Sequence, residues 1–334
     1  MTRRLAAACL LAVVVLGCGG TRGRVPDPRH VEDLTSVIKG LDNPFFATMR
    51  DGLVATAHRR GASITVRAAT GLQDTAGQAS KLESLASRPA GCYVVNPIDA
   101  TNLIQPLAHV RSGTPIVNID SPVDTTAAKA VGVTITSYIG TDNAAAGRLA
   151  ADAMARFVAP AARVAVITGI PGDATSGARA KGFVTSARGR FDVVEAIAAD
   201  FDRRRARLAA ADLLRHAPVE GFFAVNDQMA LGIADAVRAA GRTGKVAVIG
   251  MDGIREALAG VKRRDLSATV AQYPYTIGQL GVEACLATLR GHAVPATVDA
   301  PVKVITAQNV ERAQARFPHP VEAFDDPFAA LLGR

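Results

Sequence analysis

Side chains that make directional hydrogen bonds follow nearly every stretch of the chain that is predicted to be a strand. They are amides, carboxylates and one guanidinium: Asn43, Asn96, Asp120, Arg179, Asn226, Asp252 and Gln272. Vicinal hydroxyl groups both donate and accept, so carboxylate and amide oxygens can accept from them while amide and guanidinium N–H groups donate to them. A buried set of this kind rejects ligands that lack hydroxyl groups, because its own polar groups would be left unpaired. The pattern indicates recognition of a small polyhydroxylated molecule.

Aromatic side chains accompany these polar groups. The chain has 11 phenylalanines, and Phe45, Phe46 and Phe201 lie in the polar segments 42–46 and 199–202 rather than in strands. The C–H faces of a sugar ring are apolar and pack against aromatic faces. These three rings strengthen the interpretation that the ligand is a sugar.

Strand and helix signals alternate along the chain. Apolar, β-branched runs predict ten strands, at 34–39, 63–69, 92–96, 115–119, 131–136, 164–168, 193–198, 221–225, 246–250 and 268–271. Helical periodicity predicts nine helices, at 46–60, 76–87, 100–111, 144–157, 178–188, 203–216, 229–240, 255–263 and 277–289. This alternation is typical of parallel sheets built from βαβ units. The expected fold class is α/β, with two doubly wound parallel-sheet lobes in similar halves, about 33–141 and 142–272.

Such lobes place the predicted polar residues together. Ligands of doubly wound sheets bind outside the carboxyl ends of the strands, and clefts between lobes are favoured pockets. The residues that end the strands are therefore expected to face one another across a cleft.

The N-terminus is typical of an export signal. Arg3 and Arg4 precede a 12-residue apolar run, 5–16, which is too short to span a bilayer as a permanent helix. Leu16-Gly17-Cys18 follows and resembles a bacterial lipobox, in which the cysteine becomes the lipidated first residue. We predict a signal peptide at 1–17, lipidation of Cys18 with a tether over 18–32, and a protein held at the outer face of the cytoplasmic membrane or in the periplasm. The alternative is an ordinary secretory signal with an incidental cysteine.

Charge and motifs exclude several classes of function. The formal charge is +8, or about +6 without Arg3 and Arg4, and the basic run at 203–205 has no interleaved aromatic residues, so a solvated helix face is favoured over a nucleic-acid site. No nucleophile elbow, phosphate-binding loop or metal-ligand spacing is found, so neither a cofactor nor a metal is expected. A pair of glycosidase carboxylates, Asp120 and Asp252, is an alternative. The strand pattern places the two on opposite lobes, and we expect no enzymatic activity.

The strand-end segments, in this order and spacing, resemble the ribose-type periplasmic sugar-binding proteins of bacterial ABC transporters, over about 34–308. The shared segments are 42–46 (DNPFF), 95–97 (VNP), 199–203 (ADFDR), 226–232 (NDQMALG), 251–253 (MDG) and 268–272 (ATVAQ). The resemblance implies ligand contacts from Asn43, Phe45, Phe46, Asn96, Asp120, Arg179, Phe201, Asn226, Asp252 and Gln272. One position departs from the family: the ribose binders have Arg directly after the fourth-strand Asp, and this chain has Ser121, which leaves space and loses a bidentate donor. A hexose, another pentose or a sugar alcohol is as compatible with this site as ribose.

The resemblance also implies a hinge and a partner. Three crossovers near 140–142, 272–274 and 300–302 divide the chain into an N-terminal lobe (33–141 plus 273–301), a C-terminal lobe (142–272 plus 302–310) and a tail (311–334). Ligand contacts from both lobes would favour a closed form that a membrane permease recognises, with the binding protein acting as a monomer. The alternatives are a sensory protein that serves a chemoreceptor or kinase, and a secreted carbohydrate-active enzyme.

Several residues have a purely structural interpretation as well. Asn43, Asn96 and Asn226 are compatible with helix caps or turns, and Phe45 with Phe46 is compatible with a hydrophobic staple. Cys92, on a predicted strand, and Cys285, on a predicted helix, are interpreted as buried thiols rather than a disulfide, although export would permit a bond. The tail is expected either to pack a short helix on a lobe or to be disordered.

Overall fold

The computed structural model describes residues 32–333. The predicted signal peptide, Cys18 and nearly all of the tether lie outside the described residues. No helix in the described part of the chain is both long and apolar enough to cross a membrane.

The first lobe, the N-lobe, is built on a six-stranded parallel sheet. Its first elements are β1 (Asp33–Ile38), α1 (Pro44–Arg59), β2 (Ser63–Ala68), α2 (Thr75–Ala86), β3 (Cys92–Val95), α3 (Ile104–Ala108), β4 (Ile116–Ile119), α4 (Thr125–Ala130) and β5 (Ser137–Gly140). The chain returns to this lobe later, to add α10 (Pro274–Leu289) and β11 (Thr297–Asp299). The strand order in the sheet is β11-β5-β4-β3-β1-β2.

The second lobe, the C-lobe, is built on a second six-stranded sheet. Its elements are α5 (Asn143–Met154), β6 (Arg163–Thr168), α6 (Ala174–Ala187), β7 (Asp192–Ala198), α7 (Arg203–His216), β8 (Gly221–Ala224), α8 (Asp227–Ala239), β9 (Ala247–Asp252), α9 (Arg255–Arg263), β10 (Ala268–Gln272), β12 (Val302–Thr306) and α11 (Val310–Arg316). The strand order in this sheet is β12-β10-β9-β8-β6-β7. Strand β12 pairs with β10 in antiparallel fashion. The chain passes between the lobes after β5, after β10 and between β11 and β12.

Local sequence explains why the helices begin at the carboxyl ends of strands. The central strands are short runs with every residue buried, such as CYVV in β3 and GFFA in β8. Seven helices then start with an Asn or Asp side chain that accepts a hydrogen bond from the first turn: Asn43, Asp74, Asp124, Asp142, Asp173, Asp202 and Asn226. Such caps satisfy backbone N–H groups that have no partner within the helix. The same loops therefore carry both the caps and the predicted ligand-binding residues.

One predicted strand is wrong. Residues 131–136 form a turn after α4, and the strand lies at Ser137–Gly140 instead. Gly132, at φ 79°, ends the helix, and the backbone N–H of Val133 returns to the Ala128 carbonyl, so this β-branched run is held at the helix end. Pairing with β4 begins only at Ser137, which lies opposite Val117.

The interpretation of the cysteines as free thiols is also wrong. Cys92 on β3 and Cys285 on α10 form a disulfide, with their Cα atoms 5.8 Å apart. The two residues are 193 positions apart in the chain. They meet because α10 returns from the C-lobe and packs on β3 and β4 of the N-lobe. The bond lies within the N-lobe and leaves the crossovers free.

Candidate functional site

A cavity lies where the strand ends of the two sheets face each other. Asn43, Asp120, Asn226 and Asp252, which the sequence assigned to a common ligand, all line it, and they come from both lobes. The complete lining is Lys39, Asn43, Phe45, Phe46, Leu72, Asp120, Thr175, Arg179, Phe201, Asn226 and Asp252. The volume of this inner cavity is about 30 Å³. The outer cleft beside it has a volume of about 380 Å³, and its walls come from both lobes and include Ser121 and Pro171.

Backbone strain is concentrated in this cavity. Four of the six non-glycine residues with positive φ in the described part of the chain are Asp120 (62°), Asp200 (54°), Phe201 (60°) and Asp252 (133°). Three of these four line the cavity. A positive φ costs free energy in a residue with a Cβ, and it persists where the surrounding structure fixes it, which is common at ligand sites. The sharp turns carry Asp120 and Asp252 directly from the end of a buried strand into the cavity.

The N-lobe wall combines a helix cap with two rings. The Asn43 Oδ1 atom accepts from the backbone N–H of Phe45 at 3.0 Å and so caps α1. The rings of Phe45 and Phe46 meet edge to face, with centroids 5.2 Å apart. Both side chains are almost fully buried and both line the cavity. Asn43 therefore caps α1 and lines the cavity at the same time, and the packed rings of Phe45 and Phe46 line it as well.

A cation that the sequence analysis did not single out completes this wall. The Lys39 ammonium, at the end of β1, donates to the Ser121 Oγ atom at 2.6 Å and lies 5.5 Å from the centroid of the Phe46 ring. Lys39 is 5 % exposed and lines the cavity beside Asp120. The available signal was its position: it is one of seven lysines and directly follows a buried apolar strand.

The C-lobe wall centres on Arg179, which three acceptors hold in place. Its Nε donates to Asn143 Oδ1 at 2.7 Å, its Nη1 to the Val225 carbonyl at 2.8 Å and its Nη2 to Gln272 Oε1 at 3.2 Å. The Gln272 amide in turn donates to Asp252 Oδ1 at 2.8 Å. Arg179 Nη1 lies 3.6 Å from the same Asp252 oxygen. These bonds hold the Arg179 guanidinium and the Asp252 carboxylate in place before a ligand binds.

Burial makes the C-lobe carboxylates unusual. Desolvation raises the pKa of Asp252 well above its ordinary value; Arg179 opposes the shift, and the charges of Asp227 and Asp120 add to it. Burial also raises the pKa of Asp227 to about 6, against hydrogen bonds from Thr269 and the backbone of 253–254. Asp227 lies behind the cavity wall, and its Oδ2 accepts from the backbone N–H of Gly253 at 2.7 Å. This bond holds the turn that presents Asp252.

Two further residues position the wall. The Tyr138 hydroxyl donates to the backbone carbonyl of Asp120 at 2.7 Å and so supports the turn after β4. Burial raises the pKa of this phenol, so it remains a donor. At the end of β6, a Cβ on Gly169 would overlap the Phe201 ring, so only glycine lets that ring pack so close to the strand end.

Three predicted site residues do not line the inner cavity. Ser121 and Gln272 lie one contact away, bonded to Lys39 and to Arg179 and Asp252 respectively. Asn96 is fully buried, with its Nδ2 atom 3.5 Å from Met49 Sδ and its Oδ1 atom without a protein partner. The other eight predicted residues line the cavity. Their contact with a ligand, and that of these three, stays a prediction.

The arrangement suits a polar, uncharged guest. Carboxylates from both lobes accept hydrogen bonds, Lys39 and Arg179 donate them, and phenyl rings cover apolar faces. Within residues 32–333, no group of three or more His, Cys, Asp or Glu side chains could hold a metal ion.

Known proteins share this architecture. The family model of the periplasmic binding protein domain matches residues 35–293. The ribose import binding protein of Bacillus subtilis is 33% identical over 80% of this chain and 85% of its own, and the D-allose-binding periplasmic protein of Escherichia coli is 34% identical over 74% and 81%. A solved periplasmic solute binding protein of an ABC transporter from Actinobacillus succinogenes, with bound D-allose, superposes with a TM-score of 0.80 at 28% identity, over 84% of this chain and 99% of that one. The chain belongs to the ribose-type periplasmic sugar-binding proteins.

Proposed function

We propose that the protein captures a monosaccharide or sugar alcohol in the inter-lobe cavity, closes around it and delivers it to an ABC importer. One observation carries this proposal: carboxylates, amides, cations and phenyl rings from two separate sheets line a single cavity. Its relatives include a ribose import binding protein and a D-allose-binding periplasmic protein. Because so little space remains in the inner cavity, a guest must enter while the lobes are apart and bind both as they close.

The sugar differs from ribose or is held differently, because Ser121 replaces the Arg of ribose binders. Ser121 removes a guanidinium from this wall, and the Lys39 ammonium supplies a cation from another strand. We place D-allose and D-ribose first among the candidates, followed by other hexoses, pentoses and polyols.

Isothermal titration calorimetry against that panel tests the proposal. We expect saturable binding of at least one sugar, with one site per chain and weaker binding in Asp252→Asn. Absence of binding to every sugar at millimolar concentration would overturn it. Turnover of a glycoside would instead indicate a secreted enzyme.

We also propose that the mature protein is a monomer anchored through lipidated Cys18 by a short tether. The proposal rests on the apolar run and the Leu16-Gly17-Cys18 sequence. Cys18→Ala is expected to shift the protein from the membrane fraction to the soluble exported fraction. Equal membrane association of both forms would contradict the anchor.

A further inference from the structure

Residues 317–333, here called the hinge strap, continue from α11 and contact both lobes. At the C-lobe end, the Arg255 guanidinium lies 4.4 Å from the centroid of the Phe317 ring. Glu322 forms an ion pair with Lys303 of β12 at 2.7 Å. The strap therefore begins as part of the C-lobe.

The middle of the strap packs on the crossover between β10 and α10. The backbone N–H of Val321 donates to the Tyr273 hydroxyl at 3.3 Å, and the rings of His319 and Tyr275 meet at 4.8 Å between centroids. Tyr273 directly follows Gln272, which bonds to Arg179 and Asp252 of the cavity. The strap and the binding site thus contact adjacent residues of one hinge segment.

The far end of the strap is fixed to the N-lobe. The Arg60 Nη1 atom, at the end of α1, donates to the Leu332 carbonyl at 3.3 Å, and its Nη2 bonds to the fully buried Glu283 of α10 at 3.2 Å. Phe328 is completely buried and Leu332 is 8 % exposed, and both belong to the hydrophobic core. Asp326, between the anchors, acts electrostatically on Arg60.

We propose that the hinge strap is a fourth connection between the lobes that favours the closed arrangement. Residues 323–331 separate Glu322, which Lys303 of the C-lobe holds, from Leu332, whose carbonyl accepts from Arg60 of the N-lobe. A rotation that opens the cleft changes the separation of these anchors. The strap between them is itself held by the completely buried Phe328, so it cannot follow the rotation without losing a contact. The closed arrangement keeps all of them. The predicted effect of the strap on sugar affinity rests on the proposed function.

An insertion that uncouples the anchors without removing either one tests this. Six residues, Gly-Ser-Gly-Ser-Gly-Ser, are placed between Glu322 and Ala323, both of which are exposed. The matched control carries the same six residues after Arg334. Small-angle X-ray scattering of the ligand-free proteins and calorimetry with the sugar that the wild type binds are the two measurements.

We expect the insertion to increase the radius of gyration of the ligand-free protein relative to the control and to weaken sugar binding about fivefold or more. Unchanged scattering together with a dissociation constant within twofold would overturn the inference. If the insertion variant fails to fold, Glu322→Ala removes the C-lobe anchor at an exposed position and is expected to shift both measurements in the same direction. If the wild type binds no sugar, the proposed function fails, while the scattering comparison still decides the role of the strap.

Discussion

The Lys39 ammonium donates to the Ser121 hydroxyl at 2.6 Å, and both side chains are almost fully buried beside Asp120. Lys39 follows β1 and Ser121 follows β4, so residues 82 positions apart form one unit of the cavity wall. The ribose binders place an Arg at the position of Ser121. In this chain, a cation next to Asp120 comes from a different strand.

We predict that Lys39 and Ser121 are energetically coupled. Ser121→Arg would place a guanidinium against the Lys39 ammonium in a buried space, and like charges there destabilise both the fold and the binding of a sugar. Lys39→Ala in the same chain removes the repulsion and leaves one cation. We expect the double variant to recover affinity and melting temperature relative to Ser121→Arg, with a coupling free energy of about 0.5–3 kcal/mol. Additive effects of the two substitutions would contradict this account.

The raised pKa of Asp252 predicts opposite effects of pH on affinity and stability. Sugar hydroxyls donate to the carboxylate, so acidification through the raised pKa protonates the acceptor and weakens binding. The folded state meanwhile binds this proton more tightly than the unfolded state, so the contribution of Asp252 to stability is present at low pH and is lost as pH rises from its ordinary pKa through the raised one. The contribution of Asp227 to the stability of the fold is likewise lost as pH rises between about 3.8 and 6.

The check is titration calorimetry and thermal melting between pH 4 and 8 for the wild type and Asp252→Asn. The variant keeps an acceptor oxygen for the Gln272 amide and is expected to show weaker binding with a flatter pH dependence. A wild-type affinity that rises on acidification would show that the sign is wrong.

Arg179→Lys is expected to weaken sugar binding strongly. An ammonium cannot reproduce the three bonds that the guanidinium makes to Asn143, Val225 and Gln272, so Gln272 and Asp252 lose their alignment. Truncation of a buried, hydrogen-bonded charge pair costs about 2–5 kcal/mol, which corresponds to about 30-fold or more in the dissociation constant. Exposed Arg207→Lys is the control and should bind as the wild type does. Equal affinities of the two variants would remove Arg179 from the site.

Loss of the disulfide is expected to affect the N-lobe rather than the sugar contacts. Cys92→Ala with Cys285→Ala should lower the free energy of unfolding by about 2–5 kcal/mol. A reductant that reaches the buried bond should lower the melting temperature of the wild type and leave that of the variant unchanged. Sugar affinity should stay within about twofold, because the bond joins β3 and α10 inside one lobe. If the double-alanine variant melted at the same temperature as the oxidised wild type, the disulfide would not stabilise the fold.

The parts of this molecule that follow from local pattern were predictable. The strand–helix alternation is enough to place Asp120, Asn226 and Asp252 at carboxyl strand ends, and the parallel-sheet rule then brings those ends together. The prediction of a strand at 131–136 was wrong because these β-branched residues favour a strand, whereas Gly132 and the end of α4 hold them in a turn.

Relationships between distant segments were not predictable in the same way. The Cys92–Cys285 bond, the pairing of β12 with β10 and the Lys39–Ser121 contact all depend on where the chain returns after crossing between lobes. Tyr138 supports Asp120 through a backbone carbonyl, which leaves no trace in residue type or spacing.

The most direct test is a crystal structure of the wild-type protein with a sugar from the panel. We expect the ring to occupy the cavity, with hydroxyl groups bonded to Asp120 of the N-lobe and to Asp252 and Arg179 of the C-lobe, and with an apolar face against a phenyl ring. A sugar that contacts one lobe alone, or that binds outside the cavity, would contradict the account.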